Sequence, residues 1–215
     1  MVNIVNTKGT VPATARLPYG TRVKLHQLLP AEKFRCKALM EDERWTLAGL
    51  SRFEAAAVRA TRRLELSKVR ERGEILDSLD RLAALGVRLE LAARGWACPW
   101  PDYPEEARGP GKWPGSRDGG FPEKLSLRLP ADLEHQVRAA CWHTSAAAIT
   151  SLRGWRDRYP QVVPRRRWAP AGQESALETY RQLADRVTTT GDIWRAGIQR
   201  VIDARCGSGL SSTRD

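Results

Sequence analysis

The sequence predicts a mainly helical protein that contains one clear β-strand. Three observations support this fold class. Apolar residues recur at three- and four-residue spacing from residue 41 to 95, which is the period of a helix. Residues 124–130 instead alternate polar and apolar side chains, which is the period of a strand. Between them lies a segment rich in proline, glycine and tryptophan (96–122), which we interpret as a linker between two domains.

Residues 1–95 are predicted to form a helical accessory domain. Prolines and glycines are frequent in residues 1–30, so we expect only short structure there. Beyond residue 41, Gly73 divides the apolar pattern into two helices, at roughly 43–70 and 74–94. Their lengths and the short connection fit an antiparallel helix pair.

The alternating segment 124–130 predicts a strand with two different faces. One face carries leucines and the other carries polar side chains, namely Leu125, Leu127 and Leu129 against Lys124, Ser126 and Arg128. Pro130 ends the strand and suits the start of a helix. We expect one helix after it and a second that begins at Thr144 or Ser145 and stops before Pro160.

A lone strand leaves its backbone edges unpaired, so we expect it to pair with the same strand of a second subunit. Strand, proline, helix, turn and helix in this order resemble the ribbon-helix-helix DNA-binding proteins, the class of Arc, MetJ and CopG. The resemblance covers residues 124–159 and implies a DNA-binding module over 123–160. It further implies a homodimer whose two-stranded ribbon enters the major groove of double-stranded DNA.

By this resemblance, Lys124, Ser126 and Arg128 contact bases, and the start of the second helix (Thr144, Ser145 and Ala146) contacts a phosphate. The chemistry of the strand residues agrees, because arginine donates two hydrogen bonds to guanine, worth about 1–3 kcal/mol of discrimination. The alternative is an edge strand of a larger α+β domain whose polar face meets water.

The remaining C-terminal residues, 161–206, are predicted to form a basic hinge and a helical extension. The hinge carries Arg165, Arg166 and Arg167 between two prolines, which fits either contacts to phosphates or a solvated loop. The helical piece at about 173–205 has balanced charge and is interpreted as a packing or oligomerisation element. Residues 207–215 are expected to be disordered.

The net charge favours a polyanionic partner. The chain of 215 residues carries a formal net charge of +11. The excess is concentrated in two stretches: residues 1–41 carry seven basic and two acidic side chains, and residues 123–168 carry nine and four. Such patches attract nucleic acid whatever its sequence.

We therefore expect a sequence-specific double-stranded DNA-binding protein, either a transcriptional repressor or a plasmid or phage maintenance factor. Higher-order assembly on DNA is left open. One alternative is a protein-interaction adaptor with a basic surface. A second is a nucleic-acid-processing enzyme with Asp102, Glu105 and Glu106 as its acidic cluster.

The sequence contains none of the common nucleotide-binding, hydrolase or metalloprotease motifs, so we expect no enzyme and no cofactor. The three histidines and four cysteines do not follow zinc-ligand spacing, so no metal site is expected either. Without an apolar run that could span a bilayer or a signal-peptide pattern, we expect no membrane association and a cytoplasmic protein with reduced thiols.

Overall fold

A computed structural model describes residues 9–107, 120–164 and 171–207. In these residues the chain is mainly helical, as predicted, with a small two-stranded antiparallel sheet. In chain order the elements are β1 (Thr10–Leu17), α1 (Thr21–Met40), α2 (Arg52–Glu71), α3 (Leu79–Ala93), β2 (Glu123–Pro130), α4 (Ala131–Arg158), α5 (Glu174–Asp185) and α6 (Thr190–Gly207). Short 3-10 turns lie at Glu43–Trp45 and Glu105–Ala107.

Strand β2 lies where the alternation of residues 124–130 predicts it, but its partner is not a second subunit. It pairs antiparallel with β1 of the same chain, and the register runs from Thr10 opposite Pro130 to Leu17 opposite Glu123. The expected pairing with a second copy is thereby corrected. The backbone edge that we expected another molecule to satisfy is satisfied by a strand far earlier in the same sequence.

One face of this two-stranded ribbon forms the centre of the main core. Six alternating side chains are buried there: Ala13, Ala15, Leu17, Leu125, Leu127 and Leu129. Helices α3 and α6 cover this face with Leu82, Ile198 and Val201. Since β1 and α3 come from residues 1–95 and β2 and α6 from 123–206, the two ranges predicted as separate domains pack into one core.

Helices α3 and α6 approach each other closely at two glycines, Gly86 and Gly197. A Cβ atom placed at Gly86 would overlap the carbonyl oxygen of Gly197. A Cβ at Gly197 would lie 2.8 Å from the backbone nitrogen of Val87. Only glycine permits this distance between backbones. We call the contact between Gly86 and Gly197 the α3–α6 crossing.

Helix α4 is continuous from Ala131 to Arg158, which corrects the prediction of two helices separated by a turn at residues 140–145. That turn contains no glycine or proline to end a helix. The hydroxyl of Thr144 donates to the carbonyl of Ala140 at 2.8 Å, four residues back, so this polar side chain is satisfied inside the helix. The helix ends before Pro160, as expected.

Helix α1 occupies a region in which only short structure was expected. Glu123 at the start of β2 accepts hydrogen bonds from the backbone N–H groups of Gly20 (2.9 Å) and Arg22 (2.8 Å), which caps the helix from across the sheet. Gly20 adopts φ of 80°, a conformation that favours glycine. Pro30 lies inside the helix. The prediction is wrong because the cap comes from a residue distant in sequence.

The two helices expected at 43–70 and 74–94 are present as α2 and α3, with later starts. Ser51 and Glu54 form a capping box at the start of α2. Ser78 accepts a hydrogen bond from the N–H of Arg81 at the start of α3. Each serine fixes where its helix begins.

Part of the predicted linker packs against α4. The ring of Trp100 stacks on His143, with 6.1 Å between centroids, and Trp96 meets Trp100 edge-on. Tyr103 is buried against Ala139. These contacts hold residues 96–107 on the helix, while residues 108–119, with Trp113, lie outside the described residues.

Helices α5 and α6 form the predicted C-terminal helical piece. Trp155 of α4 packs against Ala176 and Leu177 of α5, and its indole N–H donates to the carbonyl of Ala176 at 2.8 Å. Helix α6 packs on α3 at the crossing, so it serves as a packing element within the chain. Of the tail expected to be disordered, residues 208–215 lie outside the described residues.

Candidate nucleic-acid interface

The outward face of the β1–β2 ribbon is polar and exposed on both strands. It carries Pro12, Thr14 and Arg16 from β1 and Lys124, Ser126 and Arg128 from β2, and we call these six residues the ribbon face. The three β2 residues are the predicted base contacts, and the structure leaves them exposed as that prediction requires. The three β1 residues were not predicted.

The register places the ribbon-face residues in three opposed pairs. Arg16 lies opposite Lys124, Thr14 opposite Ser126, and Pro12 opposite Arg128. All three are non-hydrogen-bonded pairs, because the backbone groups point to the outer edges of the ribbon: the N–H of Arg128 donates to Asp80 at 2.9 Å, and the carbonyl of Arg16 accepts from Arg195 at 3.4 Å.

This backbone geometry has two consequences for the ribbon face. Side chains in non-hydrogen-bonded pairs lie closer together than in the alternating pairs, with Cα atoms about 4.5 Å apart. Pro12, which has no N–H, removes no bond from the ladder at its position. The ribbon therefore presents six neighbouring side chains on an intact sheet.

The ribbon face is electropositive. Its three cationic side chains, Arg16, Lys124 and Arg128, have no ion pair or side-chain hydrogen bond within residues 9–107, 120–164 and 171–207, and the face carries no carboxylate. The nearest carboxylate along β2, Glu123, is engaged elsewhere. Hydrogen bonds from the backbone N–H groups of Arg22 and Gly20 lower the pKa of Glu123, so it stays ionised at the start of α1.

The predicted phosphate contacts do not lie at a helix N-terminus. Thr144, Ser145 and Ala146 fall in the middle of α4, where the backbone N–H groups belong to the helix. Ser145 is buried, and its hydroxyl oxygen accepts a hydrogen bond from the N–H of Thr188 at 3.0 Å. The predicted phosphate grip at this point is therefore corrected. Arg165, Arg166 and Arg167 lie outside the described residues.

Sequence reasoning missed the β1 half of the ribbon face. A signal for it exists, because Arg16, Leu17 and Pro18 repeat the order of Arg128, Leu129 and Pro130. Three residues carry little weight in a sequence, and the structure shows that these two tripeptides end the two paired strands.

An arginine-rich cleft lies beside the end of β2. Its volume is about 570 Å³, and its lining includes Arg70, Arg72, Arg81, Arg88 and Pro130. Most of these charges are already neutralised: Asp77 pairs with Arg70 and, at 2.8 Å, with Arg81, and Glu74 pairs with Arg72. The cleft is thus less available to an anion than the ribbon face.

Two of the three histidines lie against residues 101–102. His143 contacts the carbonyl of Pro101 at 3.0 Å, and His135 lies 3.8 Å from Asp102. Burial raises the pKa of Cys141 to about 12, so it stays a thiol. In the part of the chain that the structure describes, no three His, Cys, Asp or Glu side chains come together as a group that could hold a metal ion. Of the acidic cluster considered above, the Glu106 side chain lies outside the described part.

No family model matches the chain, and neither a curated protein nor a solved structure is significantly similar to it. Among the described residues, every helix is too short or too polar to cross a bilayer.

Proposed function

We propose that the protein binds double-stranded DNA by placing the ribbon face in the major groove. The observation that carries the proposal is the combination, on one regular surface, of three exposed cations with two hydroxyl side chains. The cations, Arg16, Lys124 and Arg128, have no ion-pair partner among the described residues, and the hydroxyl groups belong to Thr14 and Ser126. The opposite face of the same ribbon is buried, so the surface is held on a rigid core.

The dimensions of a two-stranded ribbon support this choice of groove. Neighbouring strands lie about 4.8 Å apart. The major groove of B-DNA is about 12 Å wide and admits a two-stranded ribbon, whereas the minor groove is about 6 Å wide. A ribbon with outward arginines therefore fits the groove that carries the full hydrogen-bonding code of the bases.

The side chains support sequence discrimination as well as attraction. Arginine and lysine donate to the O6 and N7 acceptors of guanine, and serine and threonine both donate and accept. Transcriptional repression, or plasmid or phage maintenance, is the biological role we propose, by resemblance of β2 and its proline to the ribbon-helix-helix class. A single chain supplies both strands of the ribbon, so this binding mode does not need a homodimer.

The test compares two variants with the same change in net charge. Arg16→Ala/Lys124→Ala/Arg128→Ala removes the ribbon-face cations. The control Lys33→Ala/Arg59→Ala/Arg63→Ala removes three exposed cations on α1 and α2. Fluorescence anisotropy with mixed-sequence duplexes, at low and moderate salt, measures affinity.

We expect the ribbon-face variant to lose at least about 50-fold in affinity, because it removes base and phosphate contacts together. The control should lose only a few-fold through the reduced long-range attraction. Equal losses for both variants would contradict the assignment of the site. Absence of duplex binding at low salt, together with binding to an acidic polypeptide, would favour the adaptor function instead.

A second measurement separates base contacts from phosphate contacts. Arg128→Ala should reduce discrimination between sequences, by about 1–3 kcal/mol. Arg166→Ala should weaken binding to all sequences alike and reduce the slope of log K against log salt by about 0.9. Gel-shift titrations at two salt concentrations measure both quantities, and similar salt-independent losses for the two variants would refute this division.

A further inference from the structure

The two halves of the described chain repeat one order of elements. The first half runs β1, α1, α2, α3, and the second runs β2, α4, α5, α6, so each half is a strand followed by three helices. The repeated tripeptides that end the strands begin at Arg16 and at Arg128. The difference between these two residue numbers is the offset that relates a position in the first half to its counterpart in the second half. A shared order and a shared offset indicate two related units.

The strand register is that of a two-fold axis between the units. A two-fold axis through an antiparallel pair requires the residue on the axis to face its own equivalent. Thr14 faces Ser126, and the offset between these positions equals the offset between Arg16 and Arg128. The two arginines then lie two residues from the axis in opposite directions, as two-fold related residues must.

The helices obey the same symmetry at the α3–α6 crossing. The offset from Gly86 to Gly197 is one position smaller than that of the arginines, and each glycine lies against the backbone of the other's helix. Ser78 and Thr189 share the offset of the glycines. Each of their side chains accepts a hydrogen bond from the backbone N–H three residues later, at the start of α3 and of α6. Each of these helices packs on the strand of the other unit: α3 packs on β2, and α6 packs on β1. A two-fold axis requires this reciprocal arrangement.

A fourth correspondence joins the first helix of each unit to the loop before the third. Glu32 of α1 accepts a hydrogen bond from the N–H of Leu76 at 3.0 Å. Ser145 of α4 accepts one from the N–H of Thr188, also at 3.0 Å. Leu76 and Thr188 are separated by the same offset as the two ribbon-face arginines. Different side chains thus satisfy the equivalent backbone group in each unit.

From these four correspondences we infer that the protein is a dimer in one polypeptide, and that one chain recognises one approximately palindromic DNA site. Recognition of DNA rests on the proposed function; the internal symmetry does not. Arg16 contacts one half-site and Arg128 the other, because a two-fold protein surface matches a two-fold sequence. Arg16 lies four residue steps along β1 from Pro12, the position opposite Arg128, which is about 13 Å at about 3.3 Å per residue.

This spacing corresponds to about four base-pair steps of about 3.4 Å, so we expect one guanine on each strand at that separation. The two half-sites are not identical. Beside Arg16 lies Lys124, whereas the equivalent place beside Arg128 holds Pro12, which donates nothing. The half-site under Arg16 and Lys124 therefore carries the stricter sequence requirement.

The test is selection of duplexes from a randomised library by the full chain, followed by measurement of the mass of the complex. We expect an enriched, imperfect palindrome bound by one chain. Arg16→Ala should lose discrimination in one half-site and Arg128→Ala in the other, each by about 5- to 150-fold. Pro12→Lys, at a position that forms no ladder bond, should make the two half-sites more alike.

The outcomes separate the two proposals. A selected motif without two-fold symmetry, or a palindrome that requires two chains, overturns this inference and leaves DNA binding intact. Circular dichroism of each variant should match that of the unaltered protein. Failure of the unaltered full chain to enrich any duplex overturns the proposed function and this inference with it.

Discussion

The α3–α6 crossing and the ribbon face both lie on the internal two-fold axis, but they differ in how similar their equivalent residues are. At the crossing the two units bring the same residue, glycine, into contact, because two backbones meet and neither tolerates a side chain. On the ribbon face the equivalent positions hold Lys124 and Pro12, or Thr14 and Ser126, and the face is open to solvent. Equivalent buried positions must hold the same small residue because there is no room for a side chain. Equivalent exposed positions can hold different residues, and such differences can specify a ligand.

The largest effect is expected at the crossing. Gly86→Leu would place side-chain atoms within the α6 backbone, so the two helices must separate. We expect a loss of stability beyond the about 1–3 kcal/mol that is usual for overpacking, which leaves little folded protein. Urea denaturation followed by circular dichroism measures it.

Gly154→Ala is the matched control for that variant. Gly154 lies in α4, and a Cβ there meets no atom within 4 Å. This change should stabilise the protein by roughly 0.5–1 kcal/mol, since alanine favours the helix. A Gly86→Leu protein as stable as the Gly154→Ala protein would show that the helices do not meet at this point.

The next effect concerns the buried face of the ribbon. Leu129 is fully buried and its neighbour Arg128 is exposed, so the two positions test the two faces of one strand. Leu129→Ala should cost about 3 kcal/mol through lost burial and the cavity left behind. Arg128→Ala should leave the free energy of unfolding nearly unchanged. Equal costs at both positions in thermal unfolding would mean that β2 does not sit in this register.

A smaller effect is expected from the ion pairs that join the units. Glu90 on α3 is buried and accepts hydrogen bonds from Arg94 (2.6 Å) and from Arg200 of α6 (2.8 Å). Burial raises the pKa of Glu90, but the hydrogen bonds and charges of these two arginines outweigh it and hold the pKa below its ordinary value of 4.5. We expect Glu90→Gln to cost about 1–2 kcal/mol at pH 7.

The depressed pKa also sets the pH dependence of this effect. The stability contributed by ionised Glu90 is fully present above about pH 4.5 and is lost as the pH falls through the lower pKa of the folded state. The difference between Glu90→Gln and the unaltered protein should therefore disappear in acid. Glu178→Gln, in an exposed pair with Arg181, is the control and should change little at any pH. A difference that persists in acid would contradict the linkage.

The smallest effect on stability is expected on the ribbon face itself. Arg16→Ala/Lys124→Ala/Arg128→Ala removes three exposed side chains that have no partner among the described residues. We expect the free energy of unfolding to change by less than about 0.5 kcal/mol. Differential scanning calorimetry measures it, and a large loss would mean that these cations support the fold rather than contact a ligand.

Some of the structure was predictable because it depends on neighbours in the sequence. The alternation of residues 124–130 predicted both the position of β2 and which side chains it exposes. Ser51 and Glu54, three residues apart, supply a local signal for the start of α2. The outward orientation of Lys124, Ser126 and Arg128 follows from the same local period, so half of the candidate site was predicted.

The rest could not be predicted because it depends on contacts between residues that are distant in the sequence. Nothing near β1 shows that it pairs with β2, and only the short repeat at Arg16 and Arg128 hints at it. Glu123 caps α1 from the other unit, which turned a proline-containing segment into a helix. The prediction of a second helix that begins at Thr144 was wrong because residues 140–145 contain no glycine or proline that would end the first helix, so α4 continues through them.

By itself the sequence determined the helical character, the strand β2 and the positive charge that the ribbon face displays. Those properties depend on side-chain period and composition, which act over a few residues. Only the tertiary structure decided that the second strand of the ribbon comes from the same chain and that Arg16 joins Arg128 on one surface. The physical reason is that a backbone edge takes whichever complementary strand the core brings to it, and here the α3–α6 crossing brings together two units of one polypeptide.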